Sequence, residues 1–306
     1  MDRKLNRRSF CGSVGAAFGL AIMGRYAAAG TASRRLKIGH TGITWGFKPE
    51  DAPQAIHDVA SLGYAGYETF GEYLDAWEPK GGLQQFLGPA GLPLISAYCN
   101  VNLTDPSKRK EEVDRAVRWA KLIKKTGGVT AVIGPNGVKR PGYDFKASKA
   151  NIVSALNEIC KAVSDQGVIA AVHQHTGTCI EYRDEVYAVF DAVDTRVVKF
   201  GPDVGQLAKG GSDPAQVVKD HLSLIRHVHL KDWNGGPHWA QYCPLSQGKV
   251  NIPAVLDLLE RAPGLTMVMV ELDPSGDPPM TPIETARASK EYLQKLGYNF
   301  RTSGIS

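Results

Sequence analysis

Apolar runs and amphipathic stretches take turns along residues 36–298. Apolar runs stand at 36–43, 65–70, 92–98, 129–134, 168–172, 197–202, 227–230 and 266–271, and each predicts a strand. Between them the apolar positions recur every three or four residues, as a helix face requires. In 51–62 the stripe is Ala55, Ile56, Val59, Ala60 and Leu62; in 107–126 it is Val113, Ala116, Val117, Ala120 and Ile123; in 147–166 it is Ile152, Leu156, Ile159 and Val163. Residues 186–193, 214–225, 252–261 and 282–296 continue the series. Local signals agree with these boundaries. Asp213-Pro214 and Asn251-Ile252-Pro253 suit helix starts, while Gly63, Gly127 and Gly167 suit helix stops.

Strict alternation of strand and helix predicts a parallel sheet with crossover connections. Eight such units in one chain predict a (β/α)₈ TIM barrel, a single α/β domain over 36–298. An open doubly wound sheet would carry a glycine-rich phosphate turn after its first strand, as GxGxxG or GxxxxGK[ST]. Here that strand instead runs out through Gly39-His40-Thr41-Gly42-Ile43-Thr44-Trp45-Gly46. Nothing in the body reads as an internal repeat, a low-complexity stretch or a linker.

Residues 1–29 have a different character and are expected to be a twin-arginine-type signal peptide. Basic residues precede the Arg7-Arg8-Ser9-Phe10 sequence, a weakly apolar run follows, and Ala27, Ala28 and Ala29 suit cleavage. The apolar run, roughly 13 residues, is shorter than the ~20 that span a bilayer. The expectation is an exported, periplasmic protein with no membrane attachment after cleavage. Of the formal net charge of +5, residues 1–29 hold +4 (Arg3, Lys4, Arg7, Arg8 and Arg25 against Asp2), which leaves +1 for the body. A nucleic-acid partner gains no electrostatic support from that value. The five cysteines form no CxxC pair, so neither a zinc ribbon nor a disulfide framework is expected, and the body cysteines read as free thiols.

In a barrel of this kind the chemistry sits at the C-terminal ends of the strands. Those ends deliver His40 and Trp45, Glu68, Tyr98 and Asn100, Asn136, His173 and His175, Asp203, His229 with Lys231 and Asp232, and finally Glu271 and Asp273. His173, His175, Asp203, His229 and Glu271 arrive on consecutive strands five to eight. Imidazoles and carboxylates without a thiolate suit a divalent cation, Mn²⁺ first, with Co²⁺, Zn²⁺ and Mg²⁺ also compatible. Structural readings stay open beside this one. Asp203 could cap the turn that holds Gly205, and Glu271 could form an ion pair with Lys231.

At VHQHTGT, PDVGQ, HVHLKDW and VELDPSG the sequence resembles the xylose isomerase-like barrel superfamily of sugar phosphate isomerases and epimerases, and within it the inosose dehydratase-like branch. The resemblance implies four metal ligands, one from each of strands five to eight: His173, Asp203, His229 and Glu271. Many members have Glu where His173 stands, and His where Gln206 stands. It further implies a general base or substrate contact at His175, a substrate-oxygen contact at Lys231 and an acid near the substrate at Glu68. Trp45, His40, Asn100, Gln206 and Trp233 are the expected substrate-binding residues. The implied chemistry is removal of a proton α to a ketone through an enediolate, with dehydration or β-elimination, epimerisation or isomerisation as outcomes. The loops show no Arg or Lys cluster, so the expected substrate is an unphosphorylated keto-sugar, keto-glycoside or cyclitol. A non-catalytic sugar-binding barrel is the alternative of another class, and a homo-oligomer stays open.

Overall fold

Gly63 ends the first helix with φ of +79°, and a Cβ there would fall 2.2 Å from the Arg301 carbonyl oxygen, so only glycine serves. Gly127 and Gly167 take the same left-handed conformation after the next two long helices. Each of these turns feeds a helix into the following strand. The computed structural model describes residues 34–302, and the leader expected at 1–29 lies outside the described residues.

Eight strands build the sheet: β1 Lys37–Thr41, β2 Tyr67–Phe70, β3 Leu94–Val101, β4 Thr130–Pro135, β5 Ile169–Val172, β6 Val198–Phe200, β7 His229–Leu230 and β8 Met267–Val270. Their order is β6-β5-β4-β3-β2-β1-β8-β7, and every pairing is parallel. The ends of that order meet through isolated parallel bridges, Phe200 with Ile225 and Asp203 with His229. The His229 amide donates to the Pro202 carbonyl at 2.9 Å and the Phe200 amide to the Leu224 carbonyl at 3.0 Å. A parallel sheet whose edges join in this way is a TIM-type barrel.

One register shift matters for the site. Tyr67 pairs with Leu94 but Glu68 pairs with Ser96, so Ile95 is skipped as β2 meets β3. The offset puts Glu68 and Ser96 side by side on the same side of the sheet.

The long helices fall where periodicity places them: Ala52–Ser61, Arg109–Lys125, Phe145–Ser164, Arg183–Phe190, Ile252–Leu259 and Pro282–Lys295. Their apolar stripes face the sheet, with Ile56, Val59, Ala120, Ile123, Ile152, Leu156 and Ile159 all buried. The helix expected over 214–225 is shorter, Pro214–Asp220. Two short helices after β2, Gly71–Trp77 and Gln84–Leu87, and one after β6, Val204–Lys209, have no clear periodic signal. Glycine and proline break the pattern around them, and burial of Leu74, Leu87 and Leu207 supplies the order instead. Cys99, Cys160, Cys179 and Cys243 are buried free thiols. No helix among the described residues is long and apolar enough to cross a membrane.

Candidate functional site

The four residues from strands five to eight converge. His173 follows β5, Asp203 caps the Val204–Lys209 helix after β6, His229 lies in β7, and Glu271 follows β8. One potential ligand atom from each of His173, Asp203 and His229 lies within 4.8 Å of the others, and all three residues are buried. Glu271 Oε2 stands 3.1 Å from His229 Nδ1. Three atoms here have no hydrogen-bond partner: His173 Nδ1, Asp203 Oδ2 and His229 Nδ1. Buried polar atoms without hydrogen bonds are rare, and although Asp203 Oδ2 and His229 Nδ1 keep ion-pair neighbours in Lys231 and Glu271, three such atoms at one point leave room for a common partner. Imidazole nitrogens with carboxylate oxygens suit a divalent cation, so the donor set fits the expected ion.

Charge supports the same fit. Lys231 is fully enclosed, with Nζ 2.7 Å from Glu271, 3.3 Å from Asp203 and 3.2 Å from Asp273. Burial opposes its charge, but those three carboxylates outweigh burial and hold the ammonium well above the usual lysine range. The Lys231–Asp203 contact is an ion pair without hydrogen-bond geometry, which is why Oδ2 remains an orphan. Burial pushes the Glu271 carboxyl upward against the pull of His229 and Lys231. Glu68, Asp203, Glu271 and Asp273 together outnumber the Lys231 and His229 cations that face them. A site so rich in acid is one that a dication stabilises.

Glu68 plays a different part from that of a free acid. Its Oε1 lies 2.7 Å from His229 Nε2, and its Oε2 accepts from Ser96 Oγ at 2.5 Å and lies 2.9 Å from His227 Nε2. Burial disfavours its charge, yet His229 and His227 hold its carboxyl well below the ordinary range. Glu68 fixes the proton of His229 on Nε2 and so turns the Nδ1 lone pair toward His173 and Asp203, the arrangement that orients metal-ligating histidines. Without a cation His229 takes a second proton: Glu271 and Glu68 outweigh burial and raise its pKa to about 9.

His175 is held as a neutral base. Nδ1 donates to the Thr176 carbonyl at 2.7 Å, which leaves the lone pair on Nε2. That lone pair accepts from the Gln206 amide nitrogen at 2.8 Å. The Gln206 amide is oriented by its oxygen, which accepts from Thr176 Oγ1 at 2.7 Å and from the Tyr242 hydroxyl at 2.5 Å. Burial first, then Lys231, lowers the His175 pKa.

Above this centre opens a cavity of about 450 Å³. Its floor is Glu68, His173, His175, Glu271 and Asp273; its walls include Thr41, Ile43, Phe47, Thr69, Phe70, Tyr98, Ala240 and Pro274. Ala240 arrives on a turn in which Trp239, Ala240 and Gln241 all have positive φ, between 48° and 77°. Left-handed backbone costs a non-glycine residue ~1–2 kcal/mol, so this turn is held by its surroundings. Lys209 Nζ donates to the Ala240 carbonyl at 2.8 Å, and the Asp232 carboxylate gathers four backbone amides of the surrounding segment.

The residues expected to touch substrate are placed unequally. Gln206 and Lys231 lie beneath the cavity, in contact with His175 and Glu271 respectively. His40 is buried behind the wall, its Nδ1 donating to Thr41 and its ring edge-on to Trp45 and Tyr64. Trp45 donates to Asp58 at 2.8 Å. Asn100 is exposed, with its Nδ2 3.5 Å from the Pro135 carbonyl. Trp233 packs under the Lys249 ammonium. None of His40, Trp45, Asn100 and Trp233 lines the cavity. Ser96, His227, Tyr242 and Phe47 were not anticipated. His227 had a signal, since it stands two residues before His229 and so shares its face. Ser96 depends on the register shift, and Tyr242 and Phe47 on loop paths that periodicity does not encode.

Comparison with known proteins bears on this geometry. An inosose dehydratase of Clostridium botulinum (strain Alaska E43 / Type E3) is 24% identical over 303 residues, covering 86% of this chain and 98% of that protein. The structure of the IOLI protein with a binding zinc atom superposes with a TM-score of 0.70 at 16% identity, over 86% of this chain and 98% of that one. That of 3-keto-D-glucoside 4-epimerase from E. coli does so with a TM-score of 0.67 at 17% identity, over 85% and 98%. The family described as "Xylose isomerase-like TIM barrel" matches residues 56–296, most of the sheet and every residue of the centre, and the chain belongs to that family.

Proposed function

We propose that this enzyme, of the isomerase/epimerase or dehydratase kind, removes a proton next to the ketone of a keto-sugar or cyclitol with the help of one divalent cation. The observation that carries the reading is the trio of orphaned atoms on His173, Asp203 and His229, within reach of Glu271. When bound, the cation supplies Lewis-acid polarisation of a ketone oxygen, worth several kcal/mol. Glu68 orients His229 for that ion and keeps its Nε2 protonated. Lys231 holds Glu271 and Asp203 in place and offsets their repulsion. His175 takes the α proton on Nε2 once the Gln206 amide gives way; a neutral, positioned imidazole of this kind contributes ~10²–10⁴-fold.

Dehydration is the proposed outcome, supported by the similarity to inosose dehydratases. Reprotonation at the same carbon would instead give an epimer. The test uses metal-loaded protein in D₂O with 2-keto-myo-inositol and with a 3-keto-glucoside. Expected are near one Mn²⁺ or Zn²⁺ per chain by elemental analysis and loss of water from substrate, both abolished by a chelator. Deuterium at the α carbon without water loss would indicate epimerisation. A chain that holds no cation and exchanges no α proton would end the reading. Export by the twin-arginine route belongs to the same proposal, and Arg7→Lys with Arg8→Lys should keep the protein inside the cell.

A further inference from the structure

The two sides of the cavity differ in chemistry. The floor carries every carboxylate and imidazole of the lining, Tyr98 stands in the wall, and among the described residues no Lys or Arg lines the cavity. The outer wall is apolar: Ile43 and Phe47 from the loop after β1, Phe70 from the end of β2, and Pro274 from the loop after β8. Phe47 is 67% exposed and is one of only three large apolar side chains so placed among the described residues. A lone exposed aromatic is ordinary, but this one continues a wall that leads down to the centre.

These features select among substrates. A phosphate carried on the outer half of the substrate would meet an apolar wall with no Lys or Arg to pair with, so that wall offers it nothing. A bare polyol ring would satisfy the floor and leave the outer wall facing water. A keto-sugar with an apolar group on its anomeric oxygen would satisfy both halves at once. We propose that the outer wall is an aglycone subsite, with Phe47 as the residue that determines specificity for an aryl or similarly apolar glycoside. The proposal rests on the keto-sugar reading above and adds the substrate's second half. Burial of the aglycone against the Phe47 ring removes apolar surface from water on both partners.

The test separates the subsite from the chemistry. Binding of phenyl β-D-glucoside, methyl β-D-glucoside and glucose 6-phosphate to the Mn²⁺-loaded protein is measured by calorimetry, and kcat and KM are measured for the 3-keto forms. The phenyl glycoside should bind about tenfold more tightly than the methyl glycoside, a contrast typical of an apolar pocket, and the phosphate least tightly. Phe47→Ala should remove that phenyl advantage through KM, and Phe47→Trp should keep it. Because Phe47 is exposed, neither change should disturb folding, which circular dichroism checks. Equal binding of phenyl and methyl glycosides, equal losses for both in Phe47→Ala, or tightest binding of the phosphate would each overturn the proposal. A phenyl advantage without turnover of any keto form would keep the subsite and defeat the proton-abstraction reading. Turnover with no phenyl preference would do the reverse.

Discussion

Asp203 and Asp232 are both buried at the mouth of the barrel, and they are used in opposite ways. Asp232 gives both oxygens to its own backbone. Oδ1 accepts from the amides of Trp233 at 2.9 Å and Val250 at 3.0 Å, and Oδ2 from Ser246 at 3.1 Å and Gly248 at 2.9 Å. Gly248 is needed for that approach, since a Cβ there would fall 2.1 Å from Oδ1. Asp203 gives only Oδ1 to the backbone, to the amides of Gly205 at 2.8 Å and Gln206 at 2.9 Å, and leaves Oδ2 without a hydrogen bond. The acid that organises a loop is consumed by the loop, whereas Asp203 keeps one oxygen in reserve, as the proposed cation site requires. His40 and His229 repeat the contrast among histidines, since the first is walled in by Trp45 and Tyr64 and the second points an orphan nitrogen at the centre.

The sharpest way to break the comparison is Asp203→Asn. Turnover should fall by about 10³-fold and cation affinity by at least ~10²-fold, as for a lost first ligand backed by its neighbours, while the cation-free protein melts close to the parent. Steady-state kinetics and metal titration check the first two, and a thermal melt in chelator checks the third. Asp232→Ala should show the inverse pattern. Four amides lose a buried acceptor, so stability should drop by ~3–5 kcal/mol in urea unfolding, with one cation still bound per folded chain.

The pH dependence tests His40. Burial outweighs its bond to Thr41 and lowers its pKa from 6.5 to about 4, so the folded state binds its proton less readily than the unfolded chain. Its contribution is therefore complete above pH 6.5 and is lost as pH falls toward 4, about 3 kcal/mol across the window. Unfolding free energies measured between those limits should show the loss, and His40→Gln should make it shallower without abolishing it, since burial also lowers the pKa of His173, His175 and His227. The smallest effect is expected from Glu68→Gln. Losing the anion behind His229 should weaken cation binding by ~10–100-fold with less change in stability, read by metal titration. An unchanged affinity would make Glu68 a packing residue and remove the second layer from the account of the centre.

Much of this was legible in the sequence because it obeys short rules. Strands and long helices follow from period two and period three to four, and a parallel barrel places whatever leaves the strand ends at one mouth. That logic brings His173, Asp203, His229 and Glu271 together from positions far apart in the chain. At Asp203 the capping and ligand readings need not compete, since Oδ1 caps the helix and Oδ2 is left without a hydrogen bond. The walls were less legible. His40, Trp45, Asn100 and Trp233 sit near strand ends, yet a turn of a few residues decides whether a side chain faces the cavity or packs behind it, and neighbours such as Asp58 and Thr41 claimed two of them. Phe47 and Ala240 reach the cavity on irregular loops, where backbone direction depends on distant contacts such as Lys209 with Ala240.

The skipped Ile95, opposite the step from Tyr67 to Glu68, has an evolutionary consequence. Because strand neighbours alternate sides, removing or adding one position in β2 would exchange the buried anion for its neighbour in a single event, without any substitution at Glu68 itself. Small insertions in that strand are thus larger mutational steps than most replacements at the centre. Aligning relatives there by ladder register, rather than by residue identity, is the surer way to trace which lineages inherited the acid behind the histidine.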